Sequence, residues 1–273
     1  MNITALNDII SASVRIATPI TLAALGGVFC QKAAIFNIGL EGMMLVGSFP
    51  GSIAAGMLFA IAAGIALSLL FALAVLRFDA NQIITGIGIN LLGVGLTSFL
   101  LRAVYDTQGT LRAEVMGKLP TISLPVLKDV PILGGIFGEQ NLLTYISFLM
   151  VLVTALLLYQ TPFGISACAI GELPESVATS GVKPKRIQLL AILWSGLLCS
   201  VAGTYLSTVS VTGFTEDMVQ GRGFTAFSAL IFGNGGQNVH IDANKVAVFV
   251  RVFKRFEHGI RCNDPFFAAI GFF

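Results

Sequence analysis

The sequence predicts an all-α fold, a polytopic bundle of membrane-spanning helices. Two observations carry that prediction. Of the 273 residues, 55% are hydrophobic and only 11% charged, with a mean hydropathy of +0.88, whereas a soluble domain carries roughly 25% charged residues. In addition, a hydrocarbon core about 30 Å thick needs roughly 20 mainly apolar residues per helix, and stretches near 16–36, 57–76, 82–101, 141–159 and 187–208 reach that length.

Taken in order, the opening MNITALND is polar and has neither a basic leader nor a small-residue cleavage site, so the membrane segments themselves are expected to direct insertion. Residues 39–55 are apolar but short, and are broken by Gly47, Pro50 and Gly51. That pattern suits either a kinked span or a half-helix entering the membrane, so the span count is open by one. In the next span Gly56, Ala60, Gly64, Ser68 and Ala72 recur every four residues, a ridge of small side chains that lets another helix approach closely. The connection between Arg102 and Asn141 holds Asp106, Arg112, Glu114, Lys118, Lys128 and Asp129, with breaks at Pro120, Pro125 and Pro131, and belongs outside the hydrocarbon.

Thr161 to Arg186 is a second polar segment, read as turn-rich because Pro162, Gly164, Gly171, Pro174, Gly181 and Pro184 divide it. Its Glu172, Glu175, Lys183, Lys185 and Arg186 require water or a polar partner, which suggests a docking surface. One span separates the two polar segments, so they face opposite sides. Arg112, Lys118 and Lys128 in one balance Lys183, Lys185 and Arg186 in the other, and the positive-inside rule leaves the orientation open.

Several function classes are excluded. A net charge of +2 with scattered basic residues does not suit nucleic-acid binding. Cys30, Cys168, Cys199 and Cys262 lie far apart without a C-x-x-C pair, so neither a disulfide framework nor a zinc site is indicated. His240 and His258 both fall after residue 233, and no H-E-x-x-H, G-x-S-x-G or G-x-x-x-x-G-K-[ST] occurs. The chain is therefore expected to be no enzyme, to hold no metal and to hydrolyse no ATP itself.

Polar groups within the apolar stretches are more informative. Asn90 lies eight residues past Gln82, about 12 Å deeper along a helix, where an unpaired amide is costly. It either hydrogen-bonds another helix or lines a path through the bundle. Glu41 sits within the apolar stretch Ile35 to Val46, preceded by Asn37 and flanked by Gly39 and Gly42. It reads either as a helix cap or buried ion pair, or as a solute contact. Gly221-Arg222-Gly223 permits a tight turn, with Arg222 expected to anchor it by pairing with Glu216 or Asp217.

Three motifs occur in one order: Asn37-Ile38-Gly39-Leu40-Glu41-Gly42-Met43-Met44; Ala80-Asn81-Gln82-Ile83-Ile84-Thr85-Gly86 through Asn90-Leu91-Leu92; and Gly213-Phe214-Thr215-Glu216-Asp217-Met218 through Gly221-Arg222-Gly223-Phe224. With the hydropathy pattern and the 161–186 segment, they resemble the membrane permease of a bacterial ATP-binding-cassette importer of the branched-chain amino acid and ribose type permease family. The resemblance covers about residues 12–233 and is nearest to the nucleoside and simple-sugar members.

That resemblance implies a transmembrane helical bundle of the importer permease type over residues 1–233, multi-pass in the bacterial inner membrane and in contact with its lipid. The 103–140 connection would face outward. The 161–186 loop would contact a cytoplasmic ATPase, with Gly171, Glu172, Glu175 and Gly181 as coupling candidates. Asn37, Glu41, Gln82 and Asn90 become translocation-path candidates. No cofactor is implied in this chain, since ATP is used by the partner ATPase; the other implied partners are a second permease subunit and an extracytoplasmic solute-binding protein. Nucleosides are the first choice of solute, with ribose or another simple sugar as the alternative.

Beyond Ile231-Phe232-Gly233, residues 234–273 offer no apolar run approaching 18 residues. They read as an atypical tail, frameshifted or degraded, or else as a divergent surface tail. A rival of a different class is therefore a non-transporting membrane scaffold or the remnant of a transporter.

Overall fold

A computed structural model describes residues 3–49, 53–107, 109–112, 121–123, 139–210 and 213–233. The atypical tail 234–273 and most of the 103–140 connection lie outside the described residues. The chain divides into two compact units, 1–228 and 229–273, and the long apolar helices all belong to the first.

Among the described residues five helices are long and apolar enough to cross a membrane, at Asn7–Lys32, Met57–Arg77, Gln82–Tyr105, Leu142–Gln160 and Pro184–Ser210. The elements in order are α1 (Ile3–Lys32), α2 (Leu40–Gly47), α3 (Ile53–Ala72, continued by a π-helical turn Leu73–Arg77), α4 (Gln82–Tyr105), β1 (Thr110–Arg112), β2 (Thr121–Ser123), β3 (Glu139–Asn141) and α5 (Leu142–Gln160). Then come α6 (Pro162–Glu172), α7 (Pro174–Thr179), α8 (Pro184–Tyr205, continued by a π-helical turn Leu206–Ser210), β4 (Gly213–Thr215) and α9 (Arg222–Gly233). Two antiparallel ladders lie in the connections, β1 with β4 through Leu111 opposite Phe214, and β2 with β3 through Ile122 opposite Gln140.

The all-α bundle agrees with the sequence reading, but the first span is displaced. It starts at Asn7, not 16, and stops at Lys32, not 36. The stop is local chemistry. Ala34 takes a left-handed φ of 60°, Ile35 N–H donates to the Cys30 carbonyl at 2.8 Å, and Ala34 N–H donates to that of Gln31 at 3.1 Å. This is the paired closure of a Schellman end, which satisfies carbonyls that the helix leaves without intrahelical partners.

The ambiguity over 39–55 is resolved by where the helices end. Gln188 Nε2 donates to the Ala33 carbonyl at 3.1 Å, and Lys185 Nζ donates to the Leu76 carbonyl at 2.8 Å. The ends of α1 and α3 therefore both flank the start of α8, on one face of the bundle. Since α1 and α3 run in the same direction, the chain between them must travel back across. Phe36 N–H meets Gln82 Oε1 at the first face, at 2.7 Å. Phe49 packs with Phe214 and Tyr105 at the other, with ring centroids 5.7 and 6.1 Å away. The stretch after residue 32 is thus a sixth crossing, interrupted, and among its described residues, 33–49, the α-helix is the eight residues of α2.

At the centre lies α8, and it is small side chains that let its neighbours in. A Cβ on Gly196 would stand 2.6 Å from Ser68 Cβ, one on Gly47 would meet the Ser200 backbone at 2.5 Å, and one on Gly26 would lie 3.0 Å from the Ser195 carbonyl. Gly64 faces Ser200, so Gly64 and Ser68 of the predicted ridge do meet small residues of another helix, and Ala60 and Ala72 are buried. The side-chain surroundings of Gly56 lie outside the described residues. Such backbone-to-backbone approach is how helices associate where lipid removes the hydrophobic incentive.

Candidate translocation site and coupling surface

An interrupted crossing exposes backbone donors and acceptors inside the membrane, where each must find a partner in the protein. Three of the four polar candidates supply partners to it. Asn90, on the packed face of α4, accepts from Gly42 N–H at 2.8 Å and donates to the Ile38 carbonyl at 3.1 Å. Asn37 accepts from Gly39 N–H at 3.1 Å and donates to Ser195 Oγ at 3.1 Å. Gln82 accepts from Phe36 N–H at 2.7 Å. At the far end of α2, Thr204 Oγ1 donates to the Gly47 carbonyl at 3.1 Å.

Glu41 reaches a different element. Its Oε1 accepts from Gly221 N–H at 2.7 Å, and its Oε2 accepts from Gly223 N–H at 2.6 Å and Phe224 N–H at 3.2 Å. These are donors at the start of α9, which a helix leaves unsatisfied within itself, so the side chain stands in the cap geometry that was one of its two sequence readings. Gly223 is required for this approach: a Cβ there would lie 2.6 Å from the backbone N and Cα of Glu41. Arg222 does anchor the turn, but its Nη1 donates to the carbonyls of Met218 and Val219, at 2.9 and 3.1 Å, in place of the acidic partners expected.

Asn37, Glu41 and Asn90 are buried, at 2, 7 and 9% exposure, and all three belong to one junction among α2, α4, α8 and α9. Ser195 was not singled out from sequence, because a lone serine in an apolar helix can bond its own backbone and carries no signal. The donors of residues 221–224 were missed as well; the glycines of Gly221-Arg222-Gly223 were their only trace. Among the described residues no group of three or more His, Cys, Asp or Glu is placed to hold a metal.

The 161–186 segment differs from its sequence reading. It is two short helices, α6 and α7, not a series of turns. The prolines counted as breaks, Pro162, Pro174 and Pro184, each sit in the first turn of a helix, where the missing N–H costs nothing and φ is already suitable. Thr161 Oγ1 caps α6 by accepting from Gly164 N–H at 3.2 Å. Gly171 lies against the Lys32 carbonyl, so a larger residue there would push α6 off the end of α1. Gly181 turns the chain at φ +81°. Glu172 and Glu175 are exposed. Lys185, besides bonding Leu76, lies 3.7 Å from Asp79 and so links the first turn of α8 to the α3–α4 turn. Burial pushes the Cys168 thiol upward in pKa, Lys32 opposing and Glu172 adding to it.

An all-helical membrane bundle with an interrupted crossing and polar side chains at the break is an arrangement that solute permeases use. Over residues 9–244 the chain matches the family described as branched-chain amino acid transport system / permease component, and it belongs to that family. Permeases of this family are membrane transport components and not enzymes, and they work with an ATPase and a binding protein.

The match runs past Gly233. The chain is 33% identical to the guanosine ABC transporter permease protein NupQ of Bacillus subtilis (strain 168), over 84% of this chain and 76% of that protein. It is 30% identical to the nucleoside ABC transporter permease protein NupC of Lactococcus lactis subsp. cremoris (strain MG1363), over 85% and 78% respectively. It is also 31% identical to the putative glucose ABC transporter permease protein TsgC13 of Haloferax volcanii, over 82% and 70%. No solved structure matches it.

Proposed function

We propose that this chain is the membrane subunit through which an ATP-binding-cassette importer takes up nucleosides. The observation that carries the transport reading is the interrupted crossing. Two helix starts, those of α2 and α9, meet inside the bundle beside Asn37, Glu41 and Asn90, and discontinuous helices place polar groups at mid-membrane in this way in transporters. The solute class is supported by likeness to NupQ and NupC, named for guanosine and nucleosides. Likeness to TsgC13, named for glucose, favours a simple sugar as the second reading.

In this mechanism a partner ATPase uses ATP and docks on α6 and α7, with Glu172 and Glu175 as contacts and Gly171 and Gly181 setting the path of the backbone. Closure of the ATPase pair moves those helices. Lys185 passes the displacement to the α3–α4 turn, and the bundle shifts between outward-open and inward-open packings, a two-state change of packed elements. A second permease subunit completes the pathway, and an extracytoplasmic binding protein delivers the solute.

The test is radiolabelled guanosine uptake with ATPase, partner permease and binding protein coexpressed. Saturable, ATP-dependent uptake competed by other nucleosides is expected. Competition by glucose or ribose alone would favour the sugar reading, and no uptake by an assembled complex would favour a scaffold. The tail is proposed to limit transport: a chimera carrying a family-type terminus after Gly233 is expected to take up more, and equal uptake would overturn that.

A further inference from the structure

We propose that Glu41 is a positioning residue for transport, a carboxylate that clasps the interrupted crossing to the first turn of α9 so that the two shift as one body when the bundle changes packing. Each half of the clasp is held separately. On the α2 side, Asn90 fixes Gly42 and Ile38 to α4, while Asn37 meets Ser195 and Thr204 meets Gly47, both from α8. On the α9 side, the Arg222 side chain folds back onto the Met218 and Val219 carbonyls and makes the preceding turn one piece with the helix start. Between the halves stand the two oxygens of Glu41, with donors from Gly221, Gly223 and Phe224 at 2.6 to 3.2 Å.

The requirement is for an anion. Three N–H groups converge on the side chain, and a carboxylate is acceptor-only, whereas the isosteric amide offers one oxygen and turns an NH₂ toward the remaining donors. Three of the roughly four acceptor positions of the carboxylate are already taken by backbone amides, and the residue is 7% exposed, so little of Glu41 is left for a solute hydroxyl. Removing the charge should therefore slow the packing change and leave the affinity for solute alone.

The uptake arm of the test rests on the importer reading; the exchange arm does not. In the complete complex with ATPase and binding protein, Glu41→Gln is expected to lower the maximal uptake rate about tenfold, with KM within about twofold and ATP hydrolysis retained, and Glu41→Asp to restore part of the rate. In the wild-type complex, the amides of Gly221, Gly223 and Phe224 are expected to exchange hydrogen slowly both without nucleotide and with ATP trapped. A raised KM at unchanged maximal rate would make Glu41 a solute contact and overturn the proposal, as would fast exchange of those amides in either state. Should Glu41→Gln fail to accumulate, the wild-type exchange result decides alone. Absence of uptake by the wild-type complex would count against the importer reading, while the exchange result would still judge the clasp.

Discussion

Helices α4 and α8 are both apolar and both long enough to span, yet 72% of the most apolar stretch of α8 is buried and only 22% of that of α4. Apolarity puts both in the membrane; side-chain size decides which one occupies the centre. Along α8, Ser195, Gly196, Ser200 and Gly203 let α1, α2 and α3 approach to backbone contact. Along α4, one narrow face does the same: Gly86 lies against Ile38 and Gly39, and Gly93 lies against Gly42. Gly88 and Gly95, two residues further round in each case, have nothing within 4 Å, and Ile84 and Leu91 beside them are each 70% exposed.

The strongest way to break this contrast is to put the same side chain on both helices. A Cβ on Gly203 would run into the Met44 carbonyl and the Ser48 amide, so Gly203→Leu is expected to cost about 3 kcal/mol or more through overpacking and to empty the membrane fraction of folded protein. Gly88→Leu should accumulate normally. Equal abundance of the two variants would dismiss α8 as the packing centre.

A smaller effect is expected at the polar junction. Asn90→Leu leaves Gly42 N–H and the Ile38 carbonyl without partners, which should lower stability by about 1–3 kcal/mol in thermal melts of the detergent-extracted protein. Leu91→Ala, one residue away on the exposed face, should stay within about 0.5 kcal/mol of wild type.

At the displayed face, changing both Glu172 and Glu175 to Lys is expected to reduce ATPase copurification without altering membrane insertion, because both side chains are exposed and charge reversal acts on association more than on folding. Undiminished copurification would move the docking surface elsewhere. The mildest variants sharpen the comparison most: Gly88→Ala and Gly95→Ala should each stabilise the isolated chain by about 0.5–1 kcal/mol, through helix propensity alone. Destabilisation confined to the assembled complex would show that another subunit uses the open glycines.

The spans were legible because a helix of the required length leaves an unmistakable apolar window. Where the first began was not, because Asn7, Asp8, Ser11 and Ser13 dilute its early turns although the helix runs through them. The helices of the 161–186 segment were hidden by proline, which reads as a break but serves as a first-turn residue at Pro162 and Pro174. At the junction, polar residues in apolar surroundings identified Asn37, Glu41, Gln82 and Asn90. Apart from the Ser195 hydroxyl that meets Asn37, the partners named for them are backbone groups and could not be read, and those of Glu41 lie about 180 residues downstream. An amide N–H has no letter of its own in a sequence.

The interrupted crossing also sets an order of events during synthesis. When this stretch leaves the ribosome, its described residues, 33–49, hold one eight-residue α-helix, about 12 Å long, too short to settle alone in a bilayer. Thr204, which bonds Gly47, follows more than 150 residues later, and the Glu41 donors at 221–224 later still. At roughly 5–20 residues per second, the segment waits on the order of ten to thirty seconds for its partners. During that interval a buried acid and several bare peptide groups must be kept wet or sheltered by the insertion machinery, which makes this crossing, among those of the described residues, the last to find all its partners although it is the second to be made.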